Sequence, residues 1–177
     1  MANPMTKLTK DQFIPFLDTA EDKTYAASEW ARIDLSTIFE LAINPQSESM
    51  DYICYKNAVE EVMSNQPELP EEIALYEGNP MYDYIAEKLY KLPTGEDCKV
   101  PFLLCFGGTT KRAWRGICTL LLDTLSTTDG KISFSMKFGG DIELGTYTIE
   151  AGKPTFTAAV ASAQEAQQSK AVKMSLN

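Results

Sequence analysis

The side chains that could do chemistry in this chain are carboxylates and cysteines, because its 177 residues include no histidine. Without histidine, neither a Ser-His nor a Cys-His nucleophile pair can form, and the most common general base at neutral pH is missing. Adjacent carboxylates occur at Glu71–Glu72 and at Glu96–Asp97, and paired carboxylates can hydrolyse glycosidic bonds. Neighbours on a strand point to opposite faces, however, and the second pair lies in a polar loop. We therefore predict no catalytic residue.

The sequence also lacks the patterns that hold metals and nucleotide cofactors. None of its four cysteines forms a CxxC pair, which argues against a structural zinc site; they are Cys54, Cys98, Cys105 and Cys118. Cys105 and Cys118 lie in apolar runs, where a free cysteine behaves as a small hydrophobic residue. The glycine pairs at 107–108 and 139–140 match no phosphate-binding or dinucleotide-binding motif and favour turns. We predict no metal site and no cofactor.

The net charge of −9 is unevenly distributed along the chain. Between Lys56 and Lys88 there is no basic residue, while the same interval holds eight acidic residues. A surface of this kind repels phosphate backbones, so the composition disfavours conventional nucleic-acid binding. A solubilising acidic face is the simplest interpretation of the acidic run by itself.

Six residues are candidates for contacts between subunits. Basic side chains surround Trp114, and pairing with the acidic segment of another subunit explains them better than nucleic-acid contact does. Apolar side chains around Pro15 form a small docking patch in a polar N-terminal stretch. The candidates are Phe13, Phe16, Glu60, Glu61, Arg112 and Arg115.

Alternation of apolar and polar residues predicts that most of the chain forms strands. The clearest case is the segment KISFSMKF at 131–138, whose apolar residues all fall on one face. We expect a return strand from Ile142 that completes a hairpin, a bulge at Gly145–Thr146, and a further bulge at Gly116. Other strands are predicted at 31–43, 50–57, 71–78, 100–106 and 112–125, with a turn or loop at 44–49 and a connection at 58–70.

One helix is predicted at 79–92, in the segment GNPMYDYIAEKLYKLPTG. Asn79 and Pro80 suit its first turn, and a proline and a glycine follow its end. Tyr82 and Tyr90 widen its apolar face, which we expect to pack against the sheet. The residues that define this face are Met81, Ile85, Leu89 and Leu92.

These patterns predict a mainly β protein, with a β-sandwich or barrel-like sheet and one flanking α-helix. We expect an N-terminal arm at 1–29, a β domain at 30–157 and a C-terminal arm at 158–177. The N-terminal residues lack the apolar run of a signal peptide, so we expect the protein to be made and kept in a cytoplasm. No run approaches the roughly 18 apolar residues that a membrane span needs.

Two separated motifs resemble the major tail tube protein of long-tailed bacteriophages, in the versions of phages and prophages of Gram-positive hosts. The first motif is YEGNPMYDYIAEKLYKLPTG, the second is DGKISFSMKFGGDIELGTYTIEAGKPTF, and a strand with WRG lies between them. The first matches at Tyr76, Gly78, Pro80, Tyr84, Ile85, Lys88, Tyr90, Leu92, Pro93, Thr94 and Gly95. The second matches at Phe134, Phe138, Gly140, Ile142, Gly145, Thr146, Thr148, Gly152, Pro154, Thr155 and Phe156. The resemblance covers residues 30–156.

The resemblance implies a β-sandwich whose subunits form six-membered rings, with the inner sheets of the six subunits joined into one barrel. The rings stack into a helical tube through which the genome is ejected into the host cell. The implied partners are a tape measure protein, tail terminator and baseplate proteins and, in a contractile tail, a sheath protein. The implied location is the virion tail, after assembly in the host bacterial cytoplasm. In the family, the regions that correspond to 30–70 and 158–177 make inter-ring contacts.

The tube interpretation places water and passing DNA next to the polar face of residues 131–150. DNA would slide through without specific binding, because hydroxyl groups and net negative charge keep phosphates away from the wall. Lys137 is an exception, and we expect an Asp or Glu from a neighbouring strand or subunit to offset it. The lumen-facing candidates are Ser133, Ser135, Lys137, Glu143 and Thr148.

Other functions remain open at this point. The same tube could be the inner tube of a contractile tail, a tailocin or a related injection system. A soluble β-fold module that binds a partner as a monomer is a second class of hypothesis, and an enzyme that uses carboxylates is a third. The tube hypothesis predicts a polar inner face and no catalytic site, whereas an enzyme needs converging carboxylates.

Overall fold

A computed structural model describes residues 5–159 as a mainly β protein with a single α-helix. Its strands are β1 (Ile14–Asp18), β2 (Trp30–Arg32), β3 (Pro45–Met50), β4 (Val59–Asn65), β5 (Glu68–Ala74), β6 (Lys99–Cys105), β7 (Arg112–Ser126), β8 (Lys131–Phe138), β9 (Glu143–Glu150) and β10 (Lys153–Ala158). The helix α1 (Pro80–Lys91) lies between β5 and β6 in the chain. The predicted fold class is confirmed, although the sheet is not closed into a barrel.

Eight of these strands form one antiparallel sheet that divides into two wings. The long wing has the strand order β10-β9-β7-β6-β1-β2, and the short wing has the order β7-β8-β5. Strand β7 belongs to both wings because it is 15 residues long. The remaining strands, β3 and β4, pair only with each other in a separate two-stranded sheet.

The two wings separate where β8 ends and β9 begins. Residues Cys118–Ser126 of β7 pair with β8, and residues Arg112–Arg115 pair with β9. Strands β8 and β9 therefore lie end to end along β7, and the predicted hairpin between them is wrong. Gly140, with a φ of 68°, allows the turn between the two strands.

Strand β9 keeps a continuous register, so the predicted bulge at Gly145–Thr146 is also wrong. Residues 145–150 pair one to one with residues 153–158 of β10. Gly145 faces the same side as Tyr147, and a Cβ on Gly145 would clash with the carbonyl of Thr157 and approach the Phe156 ring to 2.6 Å. The close approach of β10 explains why this residue is a glycine, and the side chains of β9 alternate without interruption.

The bulge predicted at Gly116 is wrong for a related reason. The pairing of β6 with β7 runs without interruption through Gly116, where a Cβ would lie 3.1 Å from the Phe102 ring. The irregularity in β7 occurs instead between Leu122 and Thr124, where its pairing with β8 shifts by one residue.

The main core connects both wings with the helix. It collects inward-facing apolar side chains from β5, β6, β7 and β8 together with residues of β1, β2 and α1. At its centre the Phe102 and Phe138 rings lie 4.4 Å apart. Among its members are Leu17, Leu69, Ile73, Leu104, Leu120, Ile132, Phe134 and Met136. Burial of this set supplies the main drive for folding.

Helix α1 begins and ends where the sequence predicts. The Asn79 side chain accepts hydrogen bonds from the backbone N–H groups of Met81 and Tyr82, at 3.1 and 3.0 Å. Pro80 occupies the first turn, and Leu92 adopts a left-handed conformation with a φ of 50° that stops the helix.

The packing face of α1 is shorter than the sequence predicts. Met81 and Ile85 are buried in the main core, Tyr82 packs against it, and Leu89 is half-buried there. Leu92 is 77% exposed, so its assignment to this face is wrong, because it follows the last helical residue and turns away. Tyr90 is also exposed and does not widen the face.

Strand β1 lies in the interior of the long wing, between β6 and β2. All five of its residues are buried, so the interpretation of this segment as a loose docking patch is wrong. Phe16 belongs to a second core on the other face of the sheet, with Leu103, Cys105 and Tyr147. Trp30 and Phe156 cover the edge of this core.

The region between 31 and 66 differs most from the sequence prediction. Strand β2 ends at Arg32, and isolated bridges at Ser36 and Ala42 hold the following segment against β5. The segment at 45–50, predicted as a turn or loop, is a strand, while most of the predicted strand at 50–57 is a loop. The predicted connection at 58–70 contains β4 and the start of β5.

Most of the predicted C-terminal arm, residues 160–177, lies outside the described residues. Within residues 5–159, no helix is long and apolar enough to cross a membrane.

Candidate functional site: a polar sheet face and a projecting hairpin

The first candidate surface is the outward face of the short wing, which we call the polar face. It combines alternate residues of β5, β8 and the second half of β7. In its middle, Ser133 lies opposite Glu72 on one side and Thr124 on the other, and Ser135 lies opposite Pro70 and Leu121. Its polar members are Glu68, Glu72, Thr119, Thr124, Lys131, Ser133, Ser135 and Lys137. Three lumen-facing candidates from the sequence therefore share one surface.

The charges on the polar face form two ion pairs. The Lys137 ammonium lies 3.7 Å from the Glu68 carboxylate, and the Lys131 ammonium lies 3.0 Å from the Glu72 carboxylate. The expectation that an acidic residue offsets Lys137 is confirmed, and its partner is on the neighbouring strand. Because these four charges cancel, the face repels phosphate less than a net negative wall would. Its hydroxyls and paired charges offer phosphate no unpaired cation.

The other two lumen-facing candidates lie on β9 in the long wing, where only Glu143 faces the same side of the sheet as Thr119 and Lys137. Glu143 on β9 binds Arg115 on β7, with the Arg115 Nη2 atom 2.5 Å from the carboxylate. Thr148 points to the opposite side of β9 from Glu143, because the two are separated by an odd number of positions in a regular strand. The sequence interpretation placed them on one face by assuming a bulge that the strand lacks.

Arg115 is half-buried and makes its contacts within the subunit. Its guanidinium lies 4.3 Å from the centroid of the Tyr25 ring and 4.4 Å from that of Phe156. Guanidinium groups bind aromatic faces in this way through cation–π attraction. Arg115 thus holds the loop that contains Tyr25 and the strand β10 against the long wing. Arg112, by contrast, is exposed at the first position of β7.

The two phenylalanine candidates also have internal contacts. Phe16 is 1% exposed within the second core, which removes it from the surface candidates. Phe13 is half-buried and packs on Phe39, with the ring centroids 5.6 Å apart.

The second candidate surface is the hairpin of β3 and β4 with its connecting loop at 51–58, which we call the projecting hairpin. All residues at 43–49 and at 51–66 are exposed. The loop presents Tyr52, Ile53 and Tyr55 to solvent, with Ile53 fully exposed, and the two tyrosine rings contact each other edge to face. Glu60 and Glu61 on β4 are exposed as well. A two-stranded hairpin by itself is marginally stable in water, and this one pairs with no other strand among the described residues.

Open strand edges are a third feature of the described residues. Strands β2 and β10 stand at the two ends of the long wing, so each has one edge without a neighbour in the sheet. Exposed edges template pairing with another chain, which assemblies exploit and monomers avoid.

Glu71 has a different environment from the other buried charged groups. Asp18 accepts backbone hydrogen bonds from three residues, and Lys88 pairs with Glu21 at 2.7 Å. Glu71 is 1% exposed, and neither of its carboxylate oxygens has a hydrogen-bond partner among the described residues. Burial raises the pKa of Glu71 to about 7, against a smaller opposing effect of the nearby Ser36 hydroxyl.

Cys105 and Cys118 pack as the sequence predicts. Cys105 and Cys118 are fully buried, and burial raises the pKa of each thiol to about 12. The Cys118 thiol donates to the Val100 carbonyl at 3.3 Å. Cys54 is exposed in the loop of the projecting hairpin, and Cys98 is half-buried. Thiols with such raised pKa values are poor nucleophiles.

Comparison with known proteins finds similarity at the level of the fold. No protein-family model matches the chain, and no curated protein matches its sequence. Among solved structures, a chain from the virion of a native gene transfer agent particle aligns with a TM-score of 0.50 and 11% identity, over 86% of this chain and 100% of that one. A chain from the baseplate of the anti-feeding prophage, in a 6-fold symmetrised structure, aligns with a TM-score of 0.41 and 8% identity, over 82% and 98% of the two chains.

Sequence reasoning missed both the projecting hairpin and the isolation of Glu71. The hairpin strands are exposed on both sides, so they carry no alternating pattern to find. Glu71 was noted for its neighbour Glu72, but the two carboxylates face opposite sides of β5. One signal was available, since Glu71 alternates with Leu69 and Ile73 on the apolar face of that strand.

Proposed function

We propose that this protein is a structural subunit of a virion tail that assembles into stacked six-membered rings and forms a tail tube for DNA. It acts by forming a wall and has no enzymatic role. The fold that it shares with a chain of a gene transfer agent virion supports a place in such a particle. The resemblance of its two sequence motifs to tail tube proteins supports the tube in particular.

The observation that carries the proposal is the projecting hairpin. Its apolar loop is exposed, and its strands pair only with each other among the described residues. A protein that remained monomeric would gain nothing from presenting Tyr52, Ile53 and Tyr55 to water. In stacked rings, the hairpin of one subunit buries this loop against another subunit.

The polar face supplies the inner wall of the tube. Ser133 and Ser135 present small hydroxyls, and the neighbouring lysines are paired with glutamates at 3.0 and 3.7 Å. A wall of this composition stays hydrated and gives passing phosphates no fixed counterion. Joining the sheets of adjacent subunits also removes the open strand edges that a single subunit exposes.

The proposed partners are those of a tail tube. They are other copies of this chain, a tape measure protein inside the tube, and terminator and baseplate proteins at its ends. The inner tube of a contractile tail or of an injection system is built on the same principle, with a sheath protein outside. A monomeric binding module is the alternative of a different class, and the exposed apolar loop of the projecting hairpin favours assembly over it.

Sedimentation velocity of the full chain tests the role of the hairpin. We expect wild-type protein to form rings or longer assemblies as its concentration rises. The triple variant Tyr52→Ser, Ile53→Ser, Tyr55→Ser should form smaller assemblies at the same concentration, because it loses the apolar contact between copies. The fold of the subunit should not change, because the hairpin packs on nothing in its own subunit.

The matched control is Tyr90→Ser, which removes an exposed aromatic ring from α1. It should assemble as the wild type does. Equal assembly of the wild type and the triple variant, with unchanged circular dichroism, would contradict the assignment of the hairpin to assembly.

A further inference from the structure

Glu71 is a buried carboxyl that the fold leaves without a partner. It is 1% exposed, and neither of its oxygens accepts a hydrogen bond among the described residues. Phe134 lies opposite it on β8, and Leu69 and Ile73 flank it on the same face of β5, so the sheet brings no charged group to it. Such a site tolerates a neutral carboxyl far better than an ionised one, because burial without pairing penalises the charge.

The segment at 35–42, which we call the flap, covers the edge of β5 that β8 leaves open. It is attached to β5 at two places. At one, the Thr37 N–H donates to the Glu72 carbonyl at 3.2 Å, and the Ala74 N–H donates to the Leu35 carbonyl at 3.4 Å. At the other, Ala42 and Glu68 exchange two backbone hydrogen bonds at 2.9 and 2.8 Å.

Between the two attachments, residues 38–41 of the flap form no backbone hydrogen bond with β5 in the described part of the chain. The β5 residues that bond to the flap alternate along the strand, and Pro70 has no N–H to donate in this series. A cavity of about 300 Å³ lies beside Glu71, with Ser36, Ile38 and Phe39 of the flap in its wall.

The charges around this cavity do not neutralise Glu71. The cations are Lys10 and Arg32, and the anions are Asp11 and Asp34, so their charges cancel. Neither cation forms an ion pair with Glu71. An ionised Glu71 therefore gains most from water, and only a displaced flap exposes it to water.

We propose that the flap opens and closes with the ionisation of Glu71, so that it covers the protonated carboxyl and opens to hydrate the carboxylate. Opening breaks the four backbone hydrogen bonds to β5 and frees the edge of that strand. A free edge accepts a strand from another chain, whereas a covered one does not. The flap is thus a pH-dependent cover of a sheet edge. This inference concerns the single subunit and does not depend on the proposed rings.

The direction of the pH effect follows from the two states of the flap. Burial raises the pKa of Glu71 to about 7 when the flap is closed, and the carboxyl regains its ordinary value of 4.5 when the flap is open. Well below pH 4.5 both states are protonated, so pH has no effect there. Between 4.5 and 7 the open state loses its proton first, and the equilibrium constant for opening rises by roughly 100-fold from pH 4 to pH 7.

Amide hydrogen exchange of the monomeric full chain, followed by NMR, tests the inference. The reporters are the N–H groups of Thr37, Ala42, Glu68 and Ala74, which bond between the flap and β5. After correction for intrinsic rates, their protection factors should fall by roughly 100-fold from pH 4 to pH 7. Addition of about 1 M urea should accelerate exchange of the amides in β6 but not of these reporters, because local opening exposes little surface.

Two variants assign the effect to one carboxyl. Glu71→Gln retains the shape of the side chain and removes its ionisation, so protection of the reporters should become independent of pH. The matched control is Glu40→Gln, which removes an exposed carboxylate from the flap itself and should keep the wild-type response. Carboxyl ¹³C NMR of the wild type needs no variant, and Glu71 should titrate at the pH where the loss of protection levels off.

Equal protection of the reporters at pH 4 and pH 7 in the wild type would overturn the inference. A dependence on pH that persists in Glu71→Gln would overturn it as well. Exchange of the reporters together with the β6 amides in urea would show that the flap opens only when the whole subunit unfolds, which also contradicts the proposal.

Discussion

Gly145 shows how a single residue sets the distance between two strands. A Cβ there would clash with the backbone carbonyl of Thr157 and lie 2.6 Å from the Phe156 ring. The same ring lies against Arg115, which also contacts the loop around Tyr25. The position of β10 and the order of that loop therefore depend on the missing side chain.

The substitution Gly145→Ala should destabilise the subunit by about 3 kcal/mol, since neither the carbonyl nor the packed ring can move aside without disturbing the pairing of β9 with β10. Urea denaturation of the monomer measures the change. Gly139→Ala is the matched control, because a Cβ on that residue meets no atom within 4 Å, and we expect a change below about 0.5 kcal/mol. Equal losses for the two variants would contradict this explanation of Gly145.

Glu71 is a buried carboxyl whose ionisation affects the stability of the free subunit near neutral pH. Its pKa is about 7 in the folded state against an ordinary value of 4.5, so folding favours the protonated form. Below about pH 4.5 both states are protonated and the group has no effect. As the pH rises from 4.5 to 7 the unfolded state loses its proton first, and the folded state loses up to about 3 kcal/mol of stability.

Glu71→Gln should therefore raise the melting temperature of the monomer at pH 8 and leave it unchanged at pH 4. Thermal melts at both pH values, at concentrations below assembly, make the comparison. A variant that is less stable than the wild type at pH 8 would show that the carboxylate has a stabilising partner in the subunit.

At the scale of elements, the sequence correctly predicts a strand or helix whose apolar residues face the core and whose polar residues face water. Strand β8 alternates because one side faces the core and the other faces water, and α1 has a capping asparagine and a proline at its start. Strand β6 is apolar on both sides because it lies between β7 and β1 with a core on each face.

The projecting hairpin could not be predicted in this way. Its strands, PQSESM and VEEVMSN, are exposed on both sides and show no alternation. Its loop, with Tyr52, Ile53 and Tyr55, has the β-branched and aromatic residues of a strand. A prediction from β-propensity therefore places a strand at 50–57, where the structure has a loop, and a loop at 44–49, where it has a strand. Likewise, β1 is short and interrupted by Pro15, and its burial depends on β6, which lies over 80 residues away in the chain.

The polar face yields a prediction about transport. The double variant Ser133→Lys, Ser135→Lys should fold and assemble, since both side chains point outward from β8, but it should reduce DNA delivery because unpaired ammonium groups bind phosphates. Delivery is measured as the infection or transfer titre of particles built with the variant.

The matched control is Thr146→Lys, Thr148→Lys, which adds two lysines with the same spacing to the exposed side of β9. It should have little effect on delivery. If the control reduces the titre and the serine variant does not, the lumen lies on the other side of the sheet.

At the scale of the whole molecule, the candidate site was predictable only in part. The alternation of β8 predicts a shared face for Ser133, Ser135 and Lys137, and the structure places them on one surface. Their partners Glu68 and Glu72 depend on the pairing of β5 with β8, which no local pattern specifies. Glu143 faces the same side of the sheet as these residues but lies in the long wing, and the placement of Thr148 failed because β9 pairs with β10 in regular register.

At the same scale, the net charge and the exposed surfaces bear on the proposed assembly. A chain with a net charge of −9 repels its copies at long range, so association depends on specific contacts. The apolar hairpin loop and the open edges of β2 and β10 supply such contacts. Higher ionic strength should favour assembly, because it screens the repulsion and leaves apolar burial intact.

Negative-stain electron microscopy of the purified, concentrated chain tests the tube directly. We expect hollow tubes of stacked rings, with end views of six subunits around an open channel. Particles that remain monomeric at every concentration and ionic strength would contradict the proposed function.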